Sequence, residues 1–246
     1  MKLNEKVQAL VDSGVAPIYF HLDTVHFFAG GPSIYRSLLV INSLELGTLT
    51  YGQYRFVARR TKQGDHLVAR HLTKLARAMP QLLADHPDAL CFTVPVYARL
   101  LRDGALAKLL VETFTLFPNA SPDKLCIELS ADILYEDMAD AKERIRELRE
   151  LGVKVAICEV GDEFCPVFRL AEIAFDYAFL DSFSTASLVR EDAERVAGSM
   201  VHFLHYLNVK VIAPELSTED QIAGAKAVEC DGYSSEVIGR EEVTLP

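Results

Sequence analysis

Two hydrophobic patterns alternate along the chain from about residue 66 onward. Segments such as ALAKLLVETF and ADAKERIRELREL carry apolar residues three and four positions apart, which is typical of helices with one buried face. Between such segments lie short, mostly apolar runs: ALCFTVPV (89–96), KLCIELS (124–130), VKVAICEV (153–160), YAFLDSF (177–183) and VKVIAPE (209–215). Apolar strands that alternate with helices favour a parallel sheet covered by helices.

This alternation fits either a βα barrel or a doubly wound open sheet. The chain contains no G-x-G-x-x-G and no P-loop pattern, so the nucleotide-binding loops of many doubly wound sheets are missing and we favour the barrel. Near the N-terminus, APIYFHL and SIYRSLLVI are separated by Gly30, Gly31 and Pro32, which predicts an antiparallel hairpin. We therefore expect an α/β fold, a βα barrel that begins with a hairpin-like antiparallel segment.

Length and composition favour one folded unit. The chain has 246 residues, of which 50% are hydrophobic, enough for one sizeable core. We expect residues 1–16 to form an N-terminal helix, within residues 2–13, and a lead-in, and residues 17–246 to form a single barrel domain. The five cysteines form no CxxC pair, which is typical of reduced thiols and a cytoplasmic location.

The overall charge disfavours two classes of partner. A formal net charge of −10 argues against binding to nucleic acid or to an anionic membrane, because neutralising phosphates requires a concentrated basic surface. No apolar run reaches the length needed to span a bilayer. The segment ARRTK at 58–62 is a local basic patch and the one exception that we note.

Acidic residues follow several of the predicted strands. Glu128, Glu159, Asp181 and Glu215 each lie near the C-terminal end of such a strand, and these ends meet on one face of a βα barrel. Carboxylates from several segments are typical of a Mg²⁺ or Ca²⁺ site. The same residues could instead cap the helices that follow, so the pattern leaves both interpretations open.

Five segments between about residues 17 and 239 resemble motifs of the EAL domain family, the bacterial cyclic di-GMP phosphodiesterases. LCIELS resembles LExTE, VAICEVGDEF resembles AIDDFGTGY, FDYAFLDSF resembles VDYLKIDxSF, VIAPELSTEDQ resembles VIAEGVETxEQ, and ECDGYSSEVIG resembles GCDxxQGYxxG. The resemblance implies a modified TIM (βα) barrel whose first strand is antiparallel to the rest, which agrees with the predicted hairpin. It also implies chemistry in which one or two Mg²⁺ or Mn²⁺ ions generate a hydroxide that attacks a phosphodiester.

The chain departs from the family at most positions that the resemblance marks as functional. Glu128 and Asp181 are retained, and Glu159 stands where the family has an aspartate. The positions that we align with other family ligands or contacts are Ser37, Ile41, Thr93, Ala131, Cys158, Phe179, Pro214, Ser217 and Ser234. Phe179 takes the place of the catalytic lysine, and the soft thiol of Cys158 suits Zn²⁺ better than Mg²⁺.

These departures lead to one interpretation and two alternatives. We interpret the chain as a catalytically inactive EAL-like domain, with no catalytic residues and no cofactor, that acts as a regulatory or protein-interaction module in bacterial cyclic di-GMP-related signalling. Glu128, Glu159 and Asp181 are the candidates for a residual site, which would take Mg²⁺ or Mn²⁺. The alternatives are a cyclic di-GMP receptor without hydrolysis and a variant metal-dependent phosphodiesterase. The expected partner is a protein; cyclic di-GMP and a second copy of the chain are further candidates.

Overall fold

The computed structural model describes residues 3–13, 17–162, 165–188, 190–235 and 241–243. The helices are α1 Leu3–Ser13, α2 Tyr51–Ala58, α3 Lys62–Asp85, α4 Ala105–Leu116, α5 Met138–Glu150, α6 Ser182–Ala186, α7 Glu191–Tyr206 and α8 Glu219–Ala227. The strands are β1 Ile18–Phe27, β2 Ile34–Ser43, β3 Gly47–Leu49, β4 Cys91–Val96, β5 Leu125–Ser130, β6 Lys154–Val160, β7 Tyr177–Leu180, β8 Lys210–Leu216, β9 Gly232–Ser235 and β10 Glu241–Val243. None of these helices is long and apolar enough to cross a membrane.

Eight strands close into a barrel. Around it the order is β1, β2, β4, β5, β6, β7, β8 and β9, after which β9 pairs with β1. The first strand is antiparallel to both of its neighbours, β2 and β9, whereas the other pairs are parallel. The predicted modified TIM barrel with an antiparallel first strand is therefore confirmed, and the open doubly wound sheet is excluded.

Side chains from the strands fill two separate apolar regions. The larger one lies between the strands and the surrounding helices. The smaller one fills the inside of the barrel and contains Val25, Ile34, Cys91, Cys126, Ala156, Cys158, Tyr177, Phe179 and Ile212. Because successive side chains of a strand point to opposite faces, this division shows which residues of each strand face inward.

Helix α2 is held against the start of α3 by a close backbone approach at Gly64. A Cβ atom at this position would lie 2.1 Å from the carbonyl oxygen of Ala58, the last residue of α2. The turn between the two helices is fixed further because the Gly64 amide donates to Thr61 Oγ1 at 3.2 Å. This close approach fixes the orientation of α2 relative to α3.

Strands β6 and β8 end in the same way. The pairing register shifts near the end of each strand, and at these places Glu159 and Glu215 adopt left-handed backbone conformations, with φ of 63° and 60°. Such a bulge turns a side chain away from the regular alternation of the strand. The side chains of Glu159 and Glu215 therefore point in directions that a regular strand would not give them.

Candidate functional site

The C-terminal ends of the strands surround a narrow cleft that opens to solvent and has a volume of about 20 Å³. Strands β6, β7 and β8 contribute residues at or next to their C-terminal ends, β2 contributes Arg36 near its start, and helix α2 forms one lip. The charged residues that line the cleft are Arg36, Arg55, Glu159, Asp181 and Glu215. This is the face on which βα barrels place their sites.

A buried ion pair between Arg36 and Glu128 lies at the base of the cleft. Arg36 Nε donates to Glu128 Oε1 and Nη2 donates to Oε2, both at 2.8 Å. Arg36 is 5% exposed and Glu128 is fully buried. Thr93, on the neighbouring strand β4, donates a further hydrogen bond to Glu128 Oε1. Both oxygens of the Glu128 carboxylate are therefore already engaged, one of them twice.

The surroundings of Arg36 keep its guanidinium charged. Burial acts to lower the pKa of Arg36, but the charge and hydrogen bonds of Glu128 outweigh it and raise the pKa above its usual value. The guanidinium carbon lies 4.5 Å from the centre of the Phe179 ring, a cation–π contact. Its Nη1 is buried and has no hydrogen-bond partner among the described residues. The barrel thus holds a fixed positive charge at the base of the cleft.

Ser37 faces away from the cleft. We aligned Ser37 with the glutamate of the family's signature tripeptide, but its Oγ lies 2.6 Å from His71 Nε2 of helix α3, outside the barrel. Because side chains alternate along β2, the adjacent Arg36 is the residue that enters the cleft. Ile41 likewise belongs to the outer core. Arg36 is therefore the β2 residue that lines the cleft, one position before the residue that we aligned with the family glutamate.

Glu159 lines the cleft but is paired with helix α2. Its Oε1 lies 2.9 Å from Arg55 Nη1, and its Oε2 lies 3.8 Å from Arg59 Nη1. Burial raises the pKa of Glu159 above its usual value, while the two arginines oppose that rise. The left-handed backbone at Glu159 thus presents its carboxylate to the arginines of α2.

Asp181 lines the same cleft and caps a helix. It is the N-cap of α6, where its Oδ2 accepts a hydrogen bond from the Ser184 amide at 3.0 Å. Glu215 is exposed, and its backbone amide donates to Ser234 Oγ at 3.2 Å. Of the two interpretations that the sequence left open for these acids, the geometry at Asp181 is that of helix capping.

The structure brings only some of the predicted site residues together. Glu159 and Asp181 share the cleft, whereas Glu128 lies beneath it, covered by Arg36. No group of three or more His, Cys, Asp or Glu side chains that could hold a metal ion occurs in the part of the chain that the structure describes. Residues 163–164 of CEVGDEF and 236–239 of ECDGYSSEVIG lie outside that part.

Other aligned positions contribute neutral groups. Cys158 is buried among the inner apolar residues, and burial raises the pKa of its thiol well above the usual value. The thiol is therefore protonated, which is not the form that binds metals or attacks substrates. Pro214 is buried at the end of β8 and offers no side-chain ligand.

Sequence reasoning missed Arg36 and Arg55. The signal for Arg36 was present, because a single arginine inside the apolar run SIYRSLLVI is unusual unless it is paired. The signal for Arg55 was weaker, since an arginine on a short helix is most often solvated. Only the packing of α2 shows that it reaches into the cleft.

Comparison with a known family agrees with this geometry. Residues 32–234 match the EAL domain family model, which is more than half of the chain. The chain is also similar to an uncharacterized signaling protein of Caulobacter vibrioides (strain ATCC 19089 / CIP 103742 / CB 15), with 26% identity over 132 residues. That match covers 53% of this chain and only 16% of the Caulobacter protein.

Solved structures share the fold. The PaMucR phosphodiesterase in its c-di-GMP complex superposes with a TM-score of 0.82 at 20% identity, and the match covers 98% of this chain and 96% of that one. The FimX EAL domain from Pseudomonas aeruginosa bound to c-di-GMP gives a TM-score of 0.79 at 15% identity, covering 98% and 97%. The family model, the barrel and its antiparallel first strand agree: the chain belongs to the EAL domain family.

Proposed function

We propose that this EAL domain is catalytically inactive and acts as a regulatory or protein-interaction module in cyclic di-GMP-related signalling. The observation that carries the proposal is the buried pair of Arg36 and Glu128. In this arrangement a guanidinium lies against the carboxylate that the family resemblance marks as a metal ligand. The protein's own cation thus takes the place of a bound one.

The residues present do not fit Mg²⁺ or Mn²⁺. A hard divalent cation requires several oxygen ligands, but both oxygens of Glu128 bind Arg36 and those of Glu159 face Arg55 and Arg59. A metal at Glu128 would have to displace the guanidinium and leave a buried arginine without its partner, close to a second positive charge. Breaking a buried pair in this way costs several kcal/mol, of the order of 3–5.

We further infer that the family's signature tripeptide aligns one residue earlier than the sequence suggested, with Arg36 in place of Ser37, and this alignment strengthens the proposal. In the segment RSL, Arg36 stands at the place of the glutamate in the family's signature tripeptide, and Phe179 stands at the place of the catalytic lysine. The two residues contact each other through the cation–π interaction. In this alignment Arg36 replaces a glutamate that would bind metal, and Phe179 replaces the catalytic lysine. The two side chains stabilise each other but supply neither a metal ligand nor a group for proton transfer.

A titration calorimetry experiment tests the proposal and separates its alternatives. Cyclic di-GMP is added to the purified protein with and without Mn²⁺, and the products are analysed by chromatography. Neither heat of binding nor turnover is expected if the chain works only through a protein partner. Metal-dependent turnover would contradict the inactive assignment.

A cyclic di-GMP receptor without hydrolysis is the second candidate. It is favoured by the similarity to the FimX EAL domain, which was solved bound to c-di-GMP. Heat of binding without product in the same calorimetry experiment would select this candidate. A variant phosphodiesterase is the third, and it requires turnover that Glu128→Ala abolishes.

A further inference from the structure

We propose that the α2 lip of the cleft binds an acidic segment of a protein partner. This inference rests on the proposed function as a protein-interaction module and names the chemistry of the partner. We call the surface formed by Arg55, Phe56, Arg59, Arg60 and Lys62 the α2 patch.

The α2 patch concentrates positive charge on an acidic protein. It contains four cations, whereas the whole chain carries a formal net charge of −10. Among the described residues, the acid that pairs with Arg55 and Arg59 is Glu159. Arg60 and Lys62 are exposed. The patch therefore keeps an excess of positive charge that complements an acidic ligand.

Phe56 gives the patch an apolar contact surface. Its side chain remains 45% exposed, and the guanidinium carbons of Arg55 and Arg59 lie 4.6 and 4.9 Å from the ring centre. Exposed aromatic and arginine side chains are enriched at protein interfaces and at the positions that dominate binding energy. The α2 patch thus combines positive charge with an exposed aromatic ring on which a peptide can pack.

The cleft beside the patch contains buried donors that await an acceptor. Arg36 Nη1 and Arg55 Nε are buried and have no hydrogen-bond partner among the described residues, and both side chains line the cleft. Arg36 is 5% exposed, so bulk water satisfies it poorly. An unpaired buried donor is costly, and a hydrogen bond from a charged donor to a carboxylate is among the stronger ones. A carboxylate of a peptide lying on α2 supplies such an acceptor to Arg55, which lies at the lip of the cleft.

Binding of a labelled peptide tests this inference. Fluorescence anisotropy is measured with a twelve-residue polyglutamate peptide and, as a neutral control, a polyglutamine peptide of equal length. We expect saturable binding of polyglutamate that weakens as salt is raised, because exposed charges are screened. The double variant Arg60→Glu/Lys62→Glu should weaken binding by about tenfold or more. The matched control Lys142→Glu/Arg146→Glu makes the same charge change on α5 and should leave binding within about twofold.

A second variant tests the donors in the cleft. Arg55→Lys keeps the positive charge but removes Nε–H, so we expect about tenfold weaker binding of polyglutamate. Absence of saturable binding at low salt, or equal weakening by the α5 control, would overturn the inference. So would preferential binding of a single-stranded oligonucleotide of equal length, which would assign the patch to nucleic acid. None of these results depends on hydrolysis of cyclic di-GMP, so failure here is distinguishable from failure of the proposed function.

Discussion

At the scale of single residues, the pair of Arg36 and Glu128 makes a sharp energetic prediction. Arg36→Met leaves the Glu128 carboxylate buried without its partner and should lower the free energy of unfolding by about 3–5 kcal/mol. The double variant Arg36→Met/Glu128→Leu removes both charges and should be clearly more stable than Arg36→Met alone. Urea unfolding of the wild type, both single variants and the double variant measures this coupling. Effects of the two single changes that simply add would contradict a paired role.

A second residue-scale prediction concerns His71. Burial lowers its pKa to about 3, with a smaller effect of the charge of His21, whereas an unfolded histidine titrates near 6.5. Between these values the unfolded state binds the extra proton, so stability is full above about pH 6.5 and falls as the pH drops toward 3. The loss should reach about 2 kcal/mol between pH 6.5 and 5.

Urea unfolding at both pH values checks the His71 prediction. His71→Gln should remove about that much of the pH dependence, since glutamine keeps a hydrogen-bonding group near Ser37 but does not titrate. An unchanged pH dependence in the variant would contradict the account.

At the scale of elements, the contact between α2 and α3 makes a prediction about glycine. Gly64→Ala would place Cβ 2.1 Å from the Ala58 carbonyl oxygen, so α2 would have to shift and stability should fall by about 1–3 kcal/mol. Gly52→Ala, within α2 itself, is the matched control, because nothing lies within 4 Å of its Cβ. It should be neutral or raise stability by up to about 1 kcal/mol. Thermal or urea unfolding distinguishes the two, and equal effects would contradict the close approach.

The elements also show what the sequence could and could not reveal. Apolar runs separated by helical patterns were sufficient for the parallel strands, because strands buried on both faces need continuous apolar sequence. That same continuity removes the period-two signal, so SIYRSLLVI does not reveal which of Arg36 and Ser37 faces inward. The bulges at Glu159 and Glu215 were not foreseen either, since nothing in those residue types requires a left-handed backbone.

At the scale of the whole molecule, the fold follows from the motifs while the site depends on packing between distant segments. Arg36 and Glu128 are 92 positions apart in the sequence. Arg55 contacts Glu159 only because the barrel closes and α2 packs beside the cleft. Pairings of this kind depend on register, which no single segment encodes. The sequence could therefore predict the candidate acids, but not that Arg36 pairs with Glu128 and Arg55 with Glu159.

The proposed loss of several groups that act together predicts that single reversions fail. Cys158→Asp alone adds one ligand to a site that still contains Arg36, so turnover should not appear. A fuller test combines Arg36→Glu, Thr93→Asn, Cys158→Asp, Glu159→Asp, Phe179→Lys and Pro214→Glu, with circular dichroism to verify folding. Turnover in the single variant would show that the other substitutions are unimportant, contrary to this account.

The most direct test of the central claim is hydrolysis of cyclic di-GMP by the unmodified chain in the presence of Mn²⁺. The Arg36 guanidinium donates hydrogen bonds to both carboxylate oxygens of Glu128, which are then not available to a metal ion. We therefore expect product to form no faster than in buffer that contains the same Mn²⁺. Metal-dependent turnover above that background, abolished by Glu128→Ala, would contradict that claim.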